Sequence, residues 1–127
     1  MAIRTELSLR LPNSPGALAG VSKALAAEHI NFQAMSLDSG GTLRLVVDNP
    51  VHAAGVLREQ HYHLDEHDVL FTTAPNDPAS ISRVLGLLAS AGVNIDYAYA
   101  SMIESDRAIG LVIGVADPQR AAALSGL

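Results

Sequence analysis

Two short segments set the topology of this chain: LRLPNSPGAL at Leu9–Leu18 and TTAPNDPASI at Thr72–Ile81. They align without a gap at an offset of 63 residues, and the match continues for more than twenty positions. The matched positions carry the same or similar residue types: Pro12 and Pro75, Asn13 and Asn76, Pro15 and Pro78, Val21 and Val84, Leu25 and Leu88, Ile30 and Val93, Asn31 and Asn94. Prolines and apolar residues that stay in phase over this length indicate an internal duplication.

Each copy predicts a strand followed by a helix. Polar and apolar residues alternate from Ile3 to Leu11, which is typical of a half-buried strand. Ser14 is then expected to cap a helix that has Pro15 at its first position, where the missing N–H costs nothing. Asp77 and Pro78 are expected to take the same roles in the second copy.

The ends of these two helices are also predicted to match. Gly92 follows the second helix and is suited to the left-handed backbone that ends many helices. His29 stands at the equivalent position, and histidine is one of the few other residue types enriched at positive φ. Both residues are therefore predicted to be left-handed.

The remainder of each copy predicts two further strands and a second helix. The expected strands are Ile30–Leu37 and Leu43–Val47 in the first copy, and Val93–Ile103 and Ala108–Val115 in the second. The expected turns between them are Ser39–Gly41 and Glu104–Asp106. The second helices are expected to start at Asn49-Pro50 and Asp117-Pro118. Continuous apolar runs such as Leu43–Val47 predict strands in the centre of a sheet.

The first copy is predicted to be complete and the second is not. Tyr62–His67 is expected to form a fourth strand and to run on, without Gly or Pro, to Ala74. Residues 1–67 then form one β-α-β-β-α-β repeat, while residues 68–127 lack the last strand. The predicted fold is α+β, with two ferredoxin-like repeats, antiparallel sheets and helices on one face. An open sheet edge is expected beside Val69–Ala74 unless another segment covers it.

Composition narrows the possible functions. The 127 residues are 49% hydrophobic and 17% charged, which indicates a globular chain. A net charge of −5 and an aromatic content of 4% argue against nucleic-acid binding. Cysteine is absent, which excludes disulfides, thiolate metal sites and a cysteine nucleophile. Because no apolar run has spanning length, no membrane association is expected and the protein is expected to be cytoplasmic.

The segment Asn13–Asn31, NSPGALAGVSKALAAEHIN, resembles the ACT domain family, and Asn76–Ile95 resembles it again. The resemblance covers nearly the whole chain. It implies four-stranded sheets with two helices on one face, and side-by-side pairing of repeats. It also implies an amino-acid site at the interface between paired repeats, built from the loop before the first helix and from the second strand. The chain departs from the family pattern at Ala79, which replaces the usual glycine, and in the missing last strand.

The loops before the two helices are the candidate ligand sites. A helix start presents unpaired N–H groups and the positive end of the dipole, which together favour a carboxylate. Gly16 allows close approach whereas Ala79 adds a methyl group, so the first loop is expected to be the better site. The candidate ligand-binding residues are Asn13, Ser14, Pro15, Gly16, Ala17 and Leu18 in the first loop, Asn76, Asp77, Pro78, Ala79 and Ile81 in the second, and Asn31, Asn94, Ile95 and Asp96 after the helices.

Two interpretations of these residues stay open. Asn31, Asn94 and Asp96 are expected to accept from the α-ammonium group of an amino acid, as backbone carbonyls of the strand would also do. In the alternative, Asn31 and Asn94 only fix the turn into the next strand. Ser14 and Asp77 would likewise be helix caps and nothing more.

A run of histidines raises the question of a metal. The residues His61, His63, Asp65 and His67 alternate, which predicts that they share one face of a strand. Imidazole and carboxylate suit zinc or nickel. A solvated outer face is the preferred interpretation, so neither a metal nor a cofactor is expected.

The sequence favours an amino-acid-binding regulatory module that is not an enzyme. No arrangement of nucleophile, base and acid is visible, and no phosphate-binding glycine loop. The expected partners are a small amino acid, a second copy of the chain in a homodimer, and an unidentified enzyme or regulator. The alternative function is a protein–protein interaction or oligomerisation subunit that binds no metabolite.

Overall fold

The computed structural model describes residues 2–103 and 107–126. The strands are β1 (Ala2–Arg10), β2 (Phe32–Leu37), β3 (Thr42–Val47), β4 (Leu64–Pro75), β5 (Tyr97–Ile103) and β6 (Ala108–Gly114). The helices are α1 (Ala17–Ala27), α2 (Pro50–Glu59), α3 (Pro78–Ser90) and α4 (Pro118–Ser125). The predicted turn at residues 104–106 lies outside the described residues, whereas the turn at residues 39–41 is confirmed.

The strands form an antiparallel sheet in the order β2-β3-β1-β4-β6-β5. β3 lies between β2 and β1, and Leu7 pairs with Leu45. β6 lies between β4 and β5, and Leu70 pairs with Ile113. The prediction that the apolar strands β3 and β6 are central is therefore confirmed, and so is the α+β class.

The strands that follow α1 and α3 start later than the sequence predicted. β2 begins at Phe32 instead of Ile30, and β5 begins at Tyr97 instead of Val93. Ile30 and Val93 each donate their backbone N–H to a carbonyl in the last turn of the preceding helix. Because these N–H groups close the helix, they do not join the ladder of the next strand.

The chain divides into two compact units. The first unit is Thr5–His67, and the second combines Met1–Arg4 with Asp68–Leu127. The strands β1 and β4 each contribute residues to both units. β4 is one continuous strand of 12 residues, as the sequence predicted.

An open edge beside Val69–Ala74 was expected unless another segment covered it, and β1 does so. β4 is flanked by β1 on one side and by β6 on the other. Within the second unit, the Arg4 guanidinium lies 5.7 Å from the centre of the Phe71 ring, which is cation–π distance. β1 is long enough for this because its pairing with β3 uses only Leu7–Arg10, which leaves its first residues available. The first residues of β1 therefore lie beside β4 within the second unit.

The core of the first unit lies between the sheet and both of its helices. Buried residues of α1, α2, β1 and β3 form one cluster, which includes Val21, Leu25, Leu57, Leu7, Leu9, Leu43 and Leu45. On β1 and β3 these are alternate residues, so they point to a single face of the sheet. Both helices therefore lie on that face.

The core of the second unit is smaller and is built in the same way. Its buried members are Leu70, Val84, Leu88, Leu111, Ile113 and Ala121. They come from β4, α3, β6 and α4, so these two helices also share one face of their strands. None of the helices in the described part of the chain is long and apolar enough to span a bilayer.

Three helices end in the same hydrogen-bonded motif. His29, His61 and Gly92 follow α1, α2 and α3 with φ values of 56°, 69° and 74°. In each case this residue and the next donate to carbonyls in the last helical turn, as in the Schellman motif. The left-handed backbone predicted at His29 and Gly92 is confirmed, and His61 adds a third case.

Candidate functional site

The helix α1 starts without a side-chain cap, contrary to the prediction for Ser14. Its N-cap is Gly16, whose φ is 83° and whose backbone is left-handed. Since glycine has no side chain, the N-cap makes no side-chain hydrogen bond to the first turn. Pro15 and Ser14 lie in the preceding turn, where the Ser14 carbonyl accepts from the Ala17 N–H at 3.3 Å. The left-handed glycine breaks the helical path, so the helix cannot begin two residues earlier.

The helix α3 starts as predicted, with its own carboxylate in place. The Asp77 side chain accepts from the Ser80 N–H at 2.8 Å and from the Ser80 hydroxyl at 2.9 Å. Pro78 occupies the first turn. The hydrogen bond from the Ser80 N–H, followed by that from the Ser80 hydroxyl, lowers the pKa of Asp77 below its ordinary value. Asp77 therefore fills the position that a ligand carboxylate would take.

The uncapped start of α1 opens onto a cavity of about 280 Å³. This volume is just below the range for ligand cavities, about 300–1,000 Å³. The cavity is lined by Leu11, Pro12, Asn13, Ser14, Gly16, Ala17, Leu18, Ala19, Leu37, Asp38, Ser39 and Gly41. Five of the six candidate residues of the first loop are thus brought together, and Pro15 is outside the lining.

The second wall of the cavity is the turn between β2 and β3, which the sequence analysis did not include. Asp38 is the one charged residue among those lining the cavity, and its side chain is about half exposed. Its Oδ1 accepts from the Thr42 N–H at 3.1 Å, and its Oδ2 lies 3.8 Å from Arg44 Nη1. Leu37, whose exposed fraction is 45%, adds an apolar side chain. The signal in the sequence was an acidic residue directly before the turn, at a position the duplication does not match.

The asparagines after the helices lie elsewhere. The Asn31 backbone N–H and side-chain amide both donate to Asp48, at 3.1 and 3.0 Å. Asn94 donates to Asp96 at 3.0 Å. Both side-chain amides thus donate to carboxylates, whereas the alternative interpretation expected a bond from the side chain to the backbone. Asn31 is not among the residues lining the cavity at α1.

A separate cavity of about 310 Å³ involves the ends of the second unit's helices. Asn94, Asp96, Asp117 and Arg120 are among its lining residues. Asp117 caps α4 by accepting from the Arg120 N–H at 3.1 Å. Ile95 packs against the core of the second unit. The candidate residues of the second copy are therefore split between the capped start of α3 and this cavity near its other end.

A wider groove of about 1,040 Å³ lies beside the end of β1 and the start of β4. Its arginines already have partners. Arg58 pairs with Glu66 at 3.2 Å, and Arg10 donates to the Gly40 carbonyl at 2.7 Å. With its cations engaged, this groove offers a ligand less than the uncapped helix start does, although it is larger.

The histidine run does not form a single strand face. His61 ends α2 with a left-handed backbone, and β4 begins only at Leu64. The prediction that His61 and His63 lie on the strand is therefore wrong, because the helix end takes up the preceding residues. His67 is on the strand, where its Nε2 lies 2.8 Å from Glu6 Oε1. Within residues 2–103 and 107–126, no three acidic or histidine side chains are grouped closely enough for a metal.

Comparison with known proteins identifies solved structures that are similar to this chain. No protein-family model matches the chain, and no curated protein matches its sequence significantly. The chain is similar to the crystal structure of protein BT0572 from Bacteroides thetaiotaomicron. The TM-score is 0.86 and the identity 30%, covering 96% of this chain and 85% of that one.

More distant structures share the fold. The ligand-free regulatory subunit of aspartate kinase from Thermus thermophilus has a TM-score of 0.70 at 18% identity, over 98% of this chain and 92% of that one. Aspartokinase III from E. coli, in complex with lysine and aspartate, has a TM-score of 0.58 at 17% identity, over 99% of this chain and 32% of that one. Together with the duplicated loop-and-helix motif and the split βαβ topology, these similarities show that the chain belongs to the ACT-domain family.

Proposed function

We propose that this chain is a regulatory module that binds a small amino acid at the start of α1. The observation that carries the proposal is the difference between α1 and the other helices. Among the four described helices, α2, α3 and α4 are each capped by their own side chain, namely Asn49, Asp77 and Asp117. Only α1 lacks such a cap, and its start lines a cavity. A ligand carboxylate can supply the missing acceptor.

The rest of the cavity suits the other groups of an amino acid. Asp38 offers a carboxylate for the α-ammonium group, in the role that the sequence analysis had given to Asn31. Leu11, Leu18 and Leu37 offer apolar contacts for a side chain. The residues that line the cavity include no second charged side chain for a further charge on the ligand. We therefore infer that the ligand is a neutral amino acid with a small apolar side chain.

The test is calorimetric titration with the twenty amino acids at millimolar concentration, using a matched pair of charge variants. Ala19→Asp adds a negative charge in the first turn of α1, where it stabilises the helix and repels a ligand carboxylate. Ser82→Asp adds the same charge at the aligned position of the sequence, which lies in the second turn of α3. We expect Ala19→Asp to weaken binding roughly tenfold or more, about 1.4 kcal/mol, and Ser82→Asp to leave it unchanged. Absence of binding by every amino acid to folded protein would contradict the proposal.

The two units support a finer proposal on architecture. We propose that residues 1–67 and 68–127 are two copies of one ACT-like repeat. The element order β-α-β-β-α begins once at β1 and again at β4, which supports the duplication. The further expectation that the ligand lies at an interface between repeats stays a prediction.

A second candidate function is an interaction subunit without a metabolite. The edge strand β2 favours it, because Met35 and Leu37 are 47% and 45% exposed on a strand that can accept another. Homodimer formation through this edge, or pairing with an enzyme, would cover these side chains. Thermal unfolding separates the two functions, since a ligand at a hundred times its dissociation constant adds about 2.7 kcal/mol of stability. An interaction subunit would show no shift with any amino acid.

A further inference from the structure

A buried carboxylate lies on β1, beside the strands that hold the cavity's second wall. Glu6 is fully buried, with 0% of its surface exposed. It alternates with Leu7, so it points away from the face that carries the helices. A buried charge is strongly destabilising unless it has partners. Glu6 Oε1 has two cationic candidates, His67 Nε2 at 2.8 Å and Arg44 Nε at 4.0 Å.

Arg44 is shared between this buried carboxylate and the cavity. Its Nη1 lies 3.8 Å from Asp38 Oδ2, while its Nε lies toward Glu6. The side chain of Arg44 is 26% exposed, between Glu6 at 0% and Asp38 at 49%. One guanidinium therefore serves two carboxylates that differ greatly in their access to water.

We propose that Arg44 transmits occupancy of the cavity to His67 on β4, an inference that rests on the proposed function of the cavity. An ammonium group bound at Asp38 competes with Arg44 for that carboxylate. The Arg44 guanidinium then moves toward Glu6 and neutralises more of its negative charge. As a result, the hydrogen bond between Glu6 and His67 weakens. His67 is the last residue of the first unit, and β4 continues without a break into the second. The ligand signal thereby reaches the strand that both units share.

The test requires no ligand, because Asp38→Asn removes the same negative charge that a bound ammonium would neutralise. The measurement is the imidazole ¹⁵N resonance of His67 at one fixed pH near neutrality. We expect Asp38→Asn to shift this resonance, and the shift to fall by at least half in an Arg44→Gln background. If Arg44→Gln does not fold, Arg44→Lys replaces it, because a single ammonium does not span both carboxylates. Asp48→Asn is the control, because it removes a negative charge that is hydrogen-bonded to Asn31 and not paired with Arg44. It is expected to leave the His67 resonance unchanged.

Two outcomes overturn the inference. One is no shift of the His67 resonance in Asp38→Asn. The other is the same shift with and without Arg44, which means that the field of Asp38 acts directly. Failure of the proposed function is distinguishable, because it appears as the absence of amino-acid binding in the calorimetric titration. The His67 shift in Asp38→Asn is measured independently of that titration.

Discussion

The starts of α1 and α3 lie in two segments that align in sequence, but their structures differ. α3 begins at Pro78, capped by Asp77, whereas α1 begins at Ala17, behind a left-handed Gly16. In the aligned sequence these starts differ by two residues, since Ala17 matches Ser80. One start holds a carboxylate of its own, and the other has no side-chain cap and lines a cavity. Sequence equivalence within a repeat therefore does not imply equivalent chemistry.

The largest expected change in the free energy of unfolding comes from exchanging the residues at the aligned positions 16 and 79. Gly16→Ala places a side chain at a φ of 83°, and nothing within 4 Å obstructs its Cβ, so the cost is that of the backbone alone. We expect a loss of about 1–2 kcal/mol in the free energy of unfolding.

The reciprocal change Ala79→Gly loosens the first turn of α3 and is expected to cost about 0.5–1 kcal/mol. Urea unfolding measures both variants. If Gly16→Ala stabilised the protein instead, α1 would begin as α3 does, and the difference between the two starts would disappear.

Removing the cap side chains comes next in size. Asp77→Ala is expected to cost about 1 kcal/mol, because Asp77 accepts two hydrogen bonds from Ser80. Ser14→Ala, the matched variant, is expected to change stability by less than about 0.5 kcal/mol, since its side chain caps nothing. Equal costs for the two variants would show that Ser14 caps α1 in solution.

The helix ends provide a smaller comparison. His29 and His61 adopt the left-handed backbone that glycine adopts at Gly92. His29→Gly is expected to raise the free energy of unfolding by up to about 1 kcal/mol, because it relieves the backbone strain. Gly92→Ala is expected to lower it by a similar amount. A fall in melting temperature for His29→Gly would mean that the histidine makes a stabilising contact.

The smallest expected change in stability is the one caused by lowering the pH. The hydrogen bonds from Ser80 lower the pKa of Asp77, so its charged form stabilises the folded state. This contribution is present above the ordinary pKa of 3.8 and is lost as the pH falls through the lower folded value. Asp77→Asn keeps the cap but not the charge. Its stability relative to the native protein is therefore expected to improve below about pH 3.8, and no improvement on acidification would contradict the assignment.

Much of the fold could be predicted because local signals agreed with each other. Proline at the first position behind Asn49, Asp77 or Asp117 marks three helix starts, and all three are found. The apolar runs identified the central strands. The prediction that Ser14 caps α1 was wrong because Ser14 followed by proline matches the same capping pattern as Asp77 followed by proline. That pattern takes no account of the glycine two residues after Ser14.

The candidate site was predicted only in part, for a physical reason. The first loop lines the cavity, but the other wall is the turn at Asp38, which is near the loop in space and distant along the chain. No local propensity reports such a contact. The sequence predicts Asn31 as a partner for the ammonium group because asparagine stands at the matched positions 31 and 94, and the structure instead pairs Asn31 with Asp48.

The residues alone determined the internal sequence repeat, the order of helices and strands, and the left-handed ends of α1 and α3, because these depend on neighbours within a few positions. Tertiary structure decided what the duplication could not. It placed the first residues of β1 beside β4. It also buried Glu6 beside His67 and Arg44. Such pairings join positions up to about sixty residues apart, and they are set by strand register and burial instead of by local conformational preference.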